Sequence, residues 1–152
     1  MTARQEVGTP MPETETFRIP KHRRHVPTAR QRVGKVLADW GITDGLADDV
    51  ILSANELVTN AVTHCRISCA QVKITLTLRE PYLFLEVHDP DRDRLPEPRN
   101  FAPDAEGGRG LALVGLLAHG WGHAQLPHTK CVWARFMLTQ EPERAGNVPA
   151  AL

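Results

Sequence analysis

Apolar residues recur along this chain with two spacings, and the switches between them divide it into elements. Residues 1–15 are polar, carry Pro10 and Pro12, and read as a flexible N-terminal tail. Thr16-Phe-Arg-Ile19 alternates and predicts a short strand closed by Pro20. Pro27 suits the first turn of a helix carrying the stripe Val33, Val36, Leu37 and Trp40, with Gly41 as its stop. Thr43 or Asp44 can cap a longer helix that runs to about His64. Its apolar face is Leu46, Val50, Ala54, Leu57, Val58 and Ala61. Asp49, Ser53, Glu56, Asn60 and Thr63 form a narrow polar stripe opposite it.

Period-two patterning then takes over. Val72–Leu78 and Tyr82–His88 alternate and are joined at Glu80-Pro81, which predicts an antiparallel hairpin. From Pro90 to about Glu106 the chain is polar and proline-rich, long enough for a lid or binding loop. Gly107-Gly-Arg-Gly110 leads into a short helical run, Leu111–Ala118, stopped near Gly120. Two further alternating stretches, Trp121–Leu126 and Cys131–Leu138, flank the turn Pro127–Lys130, and residues 139–152 read as a C-terminal tail. The expected fold is α+β: a two-layer sandwich of mixed or antiparallel sheet with helices on one face, spanning 16–138.

Composition narrows the function classes. With 152 residues and 41% hydrophobic content the chain suits one domain with a real core. Lysine plus arginine and aspartate plus glutamate balance at 18 each, so no global field favours nucleic acid or an anionic membrane. No apolar run is long enough to cross a bilayer, and the N-terminus lacks a signal-peptide core. The cluster Lys21-His-Arg-Arg-His25 reads as a solvated loop entering a helix. Three cysteines without framework spacing fit a reducing compartment, so a cytoplasmic location is expected. Cys65, Cys69 and Cys131, even with His64, lack a zinc spacing and are expected to be buried or partly buried free thiols. His119, His123 and His128 are expected at the surface or in strands.

Three places carry candidate chemistry. Glu56 and Asn60 stand one helical turn apart, a carboxylate able to accept a proton and a neutral oxygen suited to a hard cation such as Mg²⁺. The bland alternative is the solvated side of an amphipathic helix. Gly107-Gly-Arg-Gly110 before a helix is an anion site in outline, although a flexible hinge explains a glycine cluster as well, and it is not a Walker A loop. Asp89 ends an apolar strand, where it either meets a donor such as an exocyclic amine or caps the turn before Pro90.

Taken together, Glu56-Leu-Val-Thr-Asn-Ala-Val62, Val87-His-Asp89, Gly107-Gly-Arg-Gly-Leu111 and Lys130-Cys-Val-Trp-Ala134 resemble the GHKL (histidine kinase/HSP90-like) ATP-binding domain. Within it they are most similar to the small bacterial anti-sigma-factor serine/threonine kinases of the actinobacterial regulatory branch. The resemblance implies a Bergerat-type fold binding ATP and Mg²⁺. It makes Asn60 the metal ligand, Glu56 the catalytic acidic residue that activates the attacking hydroxyl, and Asp89 the partner of the adenine amino group. Gly107, Gly108, Arg109, Gly110 and Leu111 become the phosphate-side loop, and the segment with Pro90, Asp91 and Asp93 the lid. It further implies a sigma factor and a STAS-type anti-anti-sigma protein as partners, no direct nucleic-acid or membrane contact, and admits a homodimer. The runner-up is an ATP-binding module that acts by sequestration alone.

Two stretches depart from the family pattern. Asp89-Pro-Asp-Arg-Asp93 lacks the glycines of Asp-x-Gly-x-Gly, and its Asp91 and Asp93 are expected to bring negative charge near the phosphates. Cys65-Arg-Ile-Ser-Cys69 replaces an ordinary polar loop.

Overall fold

A computed structural model describes residues 12–93 and 106–138, with the side chains of 106–109 excepted. Strand β1 (Glu13–Pro20) leads through a 3₁₀ turn at Arg23–His25 into α1 (Val26–Asp39) and α2 (Gly45–His64). Strands β2 (Gln71–Arg79) and β3 (Tyr82–Asp89) follow, then α3 (Glu106–Leu117), β4 (Gly120–Gln125) and β5 (Lys130–Met137). The five strands lie in the order β1-β2-β3-β5-β4, and every neighbouring pair is antiparallel. The mixed-sheet alternative is thereby set aside.

Register decides what each sheet face carries. Phe17, Ile74, Val87 and Val132 lie in one row across four strands, with Leu76, Leu85 and Ala134 in the next. These rows join Val33 and Leu37 of α1, Val50, Ala54, Leu57 and Val58 of α2, and Leu111 and Val114 of α3 in a single core. Full burial of a valine or leucine contributes about 1.5–3 kcal/mol, so this face carries the layer packing. The opposite face is polar and aromatic. Thr16, Thr75, Glu86 and Trp133 form one row, and Arg18, Lys73, His88 and Cys131 the next.

Local signals place the helices. Asp44 caps α2 by accepting from the Leu46 N–H at 3.0 Å. Pro27 sits in the first turn of α1, and Gly41 ends the connection with φ +81°, a left-handed conformation that favours glycine. Two boundaries differ from expectation. β1 starts at Glu13 rather than Thr16, because pairing with β2 continues to Leu78. α3 starts at Glu106, so the glycine cluster forms its first turns instead of preceding it. No helix among the described residues is long and apolar enough to cross a membrane. The C-terminal tail and most of the N-terminal tail fall outside the described residues, as do residues 94–105 of the expected lid.

Candidate functional site

The polar stripe of α2 divides into inward and outward positions. Ser53 is fully buried, with no partner for its hydroxyl among the described residues, while Glu56 and Asn60 are half-buried and Thr63 is exposed. α3 packs directly on α2. A Cβ placed on Gly110 would lie 2.8 Å from Glu56 Oε2 and 3.4 Å from Asn60 Nδ2. Any side chain at 110 therefore intrudes on both polar groups. Glycine lets the α3 backbone approach both groups closely here. Glu56, Asn60 and Gly110, which are 54 residues apart at their extremes, thus form one cluster at the start of a helix. Carboxylate and carboxamide oxygens beside a bare backbone are a donor set that fits a hard cation with attached phosphates. Gly107, Gly108 and Arg109 belong to the same helical turns.

Asp89 occupies the other end. As the last residue of β3 it faces the helices and is almost wholly buried. Its Oδ1 accepts the Asp91 backbone N–H at 2.8 Å, and its Oδ2 lies 3.7 Å from the buried Lys130 Nζ. The pairing Asp89↔Lys130 is the last rung of the β3–β5 ladder. Burial pushes the Asp89 carboxyl above the usual carboxylate range, and the Lys130 ammonium pulls it part of the way back. A carboxylate has about four acceptor sites. Asp89 therefore retains capacity for a ligand's donor.

Two residues further on, Asp91 takes the opposite course. The Arg66 guanidinium grips it with two bonds of 2.8 Å, Nε to Oδ2 and Nη2 to Oδ1, and the Arg66 backbone N–H adds a third of 2.8 Å to Oδ2. These bonds hold the Asp91 carboxyl well below the usual carboxylate range. The charge expected from Asp91 near the phosphates is instead neutralised by Arg66. Arg66 belongs to the unusual stretch after α2, so the two departures from the family pattern meet in one ion pair. The segment is stitched further: Arg92 Nε donates to the Leu126 carbonyl, and Gln125 Nε2 to the Arg92 carbonyl, each at 2.8 Å. Asp93 is exposed beside Arg92.

Lys130 and Arg66 had no assigned role in the sequence reading. The Lys130 signal was a charged residue opening an otherwise apolar strand; Arg66 had none, since its partner lies 25 residues away. The basic cluster behaves as a loop entering a helix: the His22 imidazole caps the 3₁₀ turn, and Lys21 Nζ donates to the Cys65 carbonyl at the end of α2. Cys65 and Cys131 are buried and Cys69 is exposed, all three as free thiols. His119, His123 and His128 are exposed.

The family model described as the histidine kinase-like ATPase domain matches residues 19–136. Among solved structures, the fold resembles the RsbU and RsbW domains of Rv1364c from Mycobacterium tuberculosis, with TM-score 0.62 and 17% identity over 84% of this chain. The chain spans 33% of the length of that structure, and at this identity the likeness is one of fold. No curated protein matches the chain significantly.

Proposed function

The chain belongs to the histidine kinase-like ATPase domain family, and from that premise we propose that it is a cytoplasmic Mg²⁺-ATP-dependent regulatory serine/threonine kinase of the anti-sigma type. It phosphorylates a STAS-type anti-anti-sigma partner and sequesters a sigma factor. The observation that supports this most is the meeting of Gly110 with Glu56 and Asn60, which gathers a proton acceptor, a metal ligand and a helix N-terminal turn.

In this reading Asn60 gives its amide oxygen to Mg²⁺. The ion, when bound, neutralises charge on the transferring phosphoryl group. Backbone N–H groups at Gly107 and Gly108, in the first turn of the helix, receive the phosphates, Gly110 and Leu111 bring that turn against α2, and Arg109 reaches the terminal phosphate. Asp89 accepts the adenine amino protons in a dry site. Glu56 takes the proton of the attacking hydroxyl, and positioning does the rest.

A second reading, binding without transfer, is favoured by the glycine-free segment Asp89–Asp93, which Arg66 ties down. Calorimetric titration with ATP, with and without Mg²⁺, tests the shared part. Saturable Mg²⁺-dependent binding that is lost in Asn60→Ala and Asp89→Ala supports both readings, and no binding to the unmodified protein at millimolar ATP would sink both. Transfer of ³²P to a cognate partner, abolished by Glu56→Ala, separates them.

A further inference from the structure

The sheet face turned away from the helices holds three ligating side chains that the nucleotide site does not use. His88 and Cys131 are directly paired across β3 and β5, and Glu86 precedes His88 by two residues on the same face. One ligand atom from each lies within 4.8 Å of the other two. His88 Nε2 is 3.3 Å from Glu86 Oε1, and Cys131 Sγ is 3.8 Å from the same oxygen. We propose that Glu86, His88 and Cys131 bind one Zn²⁺ ion, with solvent as the fourth ligand.

Geometry supports it first. With zinc bonds of about 2.0–2.3 Å, the edges between these ligands in a tetrahedral site are about 3.3–3.6 Å. The His88–Glu86 spacing is already close to that, and the others need modest contraction. Two residues at i and i+2 plus one directly opposite on an antiparallel neighbour converge on one point, which strand pleating produces without a dedicated loop. The donor set is the second argument. Thiolate, imidazole and carboxylate together suit zinc, whereas Mg²⁺ prefers oxygen alone. The site is therefore chemically distinct from the cluster at Glu56 and Asn60.

Charge is the third. Zn²⁺ with one thiolate and one carboxylate is neutral, so Lys73, paired with His88 from β2, faces no net repulsion. The His88 hydrogen bond foremost, and Lys73 to a smaller extent, favour an ionised Glu86. Without metal, burial and the neighbouring carboxylate push the Cys131 thiol up to about 12. His88 and Cys131 adjoin Asp89 and Lys130 on the same two strands, so the ion would fasten the ladder back-to-back with the buried pair.

Co²⁺ is the spectroscopic probe. Full-length protein, free of any affinity tag and stripped with chelator, is titrated without nucleotide. We expect a thiolate-to-cobalt charge-transfer band and visible d–d bands, saturating at one equivalent and abolished by Zn²⁺. Cys131→Ser loses the charge-transfer band, while His88→Gln and Glu86→Gln shift the titration to higher Co²⁺. Cys65→Ser and Cys69→Ser leave it unchanged. Absence of the band in unmodified protein, its survival in Cys131→Ser, or its loss in Cys69→Ser overturns the assignment. If circular dichroism shows that Cys131→Ser does not fold, an unshifted Glu86→Gln titration overturns it equally.

Discussion

The two ends of the site are built on opposite principles. At Glu56, Asn60 and Gly110 the polar groups are half-buried and close to bare backbone. At Asp89 and Asp91 the carboxylates are buried and already engaged by cations of the chain itself. The first end leaves its polar groups partly open to solvent. The second has satisfied its own charge. Buried carboxylates need partners whether or not a ligand is present, whereas half-exposed ones can wait in water.

Substitutions can break or sharpen that contrast. The largest effect is expected at the open end: Glu56→Ala should lower phosphoryl transfer by about 10²–10⁴-fold, the usual range for a lost proton acceptor. Its ATP affinity, read by calorimetry, should change little.

At the closed end, Lys130→Met should lower stability by about 3–5 kcal/mol, the typical cost of stripping one partner from a buried pair. Denaturant melts measure it. The Asp89 carboxyl pKa is raised on folding, so the folded state holds its proton more tightly. Stability from this group falls as pH rises through the interval from the ordinary value of about 3.9 up to the raised one. The variant's deficit should be greatest at neutral pH and shrink as Asp89 becomes protonated.

Gly110→Ala should act more gently. Its Cβ displaces the Glu56 carboxylate, the mobile end of a flexible side chain, while alanine favours the helix by about 1 kcal/mol over glycine. Thermal stability should hold while ATP affinity falls about tenfold, equivalent to roughly 1.4 kcal/mol. A melting temperature that drops with unchanged affinity would show that the cluster is packing and not a site.

Arg66→Ala should cost less at neutral pH than Lys130→Met, because the arginine is largely exposed and the backbone N–H at 66 still donates to the buried Asp91 carboxylate. Asp91 titrates in the opposite sense to Asp89: its folded pKa is depressed. Its contribution is complete above the ordinary carboxylate value of about 3.9 and is lost only as pH falls below it. Acid unfolding of Arg66→Ala should therefore begin at higher pH. In a double-mutant cycle, Asp91→Gly should cost less in the Arg66→Ala background than alone.

Periodicity carried most of the architecture. The α2 stripe, the two hairpins and the Asp44 cap all follow from local spacing, since helices and strands impose their periods on the residues that build them. Where tertiary pairing decided, local spacing fell short. The start of β1 depends on how far β2 runs beside it. Ser53 reads as polar surface but lies fully buried. The first turns of α3 contain three glycines, poor helix formers whose place on α2 comes from packing. The Arg66–Asp91 pair and the Glu86, His88 and Cys131 group join residues 25 and 45 positions apart. Only register and loop placement bring them together.

The Arg66–Asp91 pair also constrains the history of the chain. An aspartate arriving alone at 91 would bury a charge met by little more than one backbone N–H, and an arginine arriving alone at 66 would gain almost nothing. The tolerable order is arginine first, as a neutral passenger on an exposed loop, and aspartate second. Loss runs in reverse, because aspartate must go before arginine can. Among relatives, arginine two places beyond the end of this helix should therefore occur with or without aspartate at 91, whereas aspartate there should almost never occur without it.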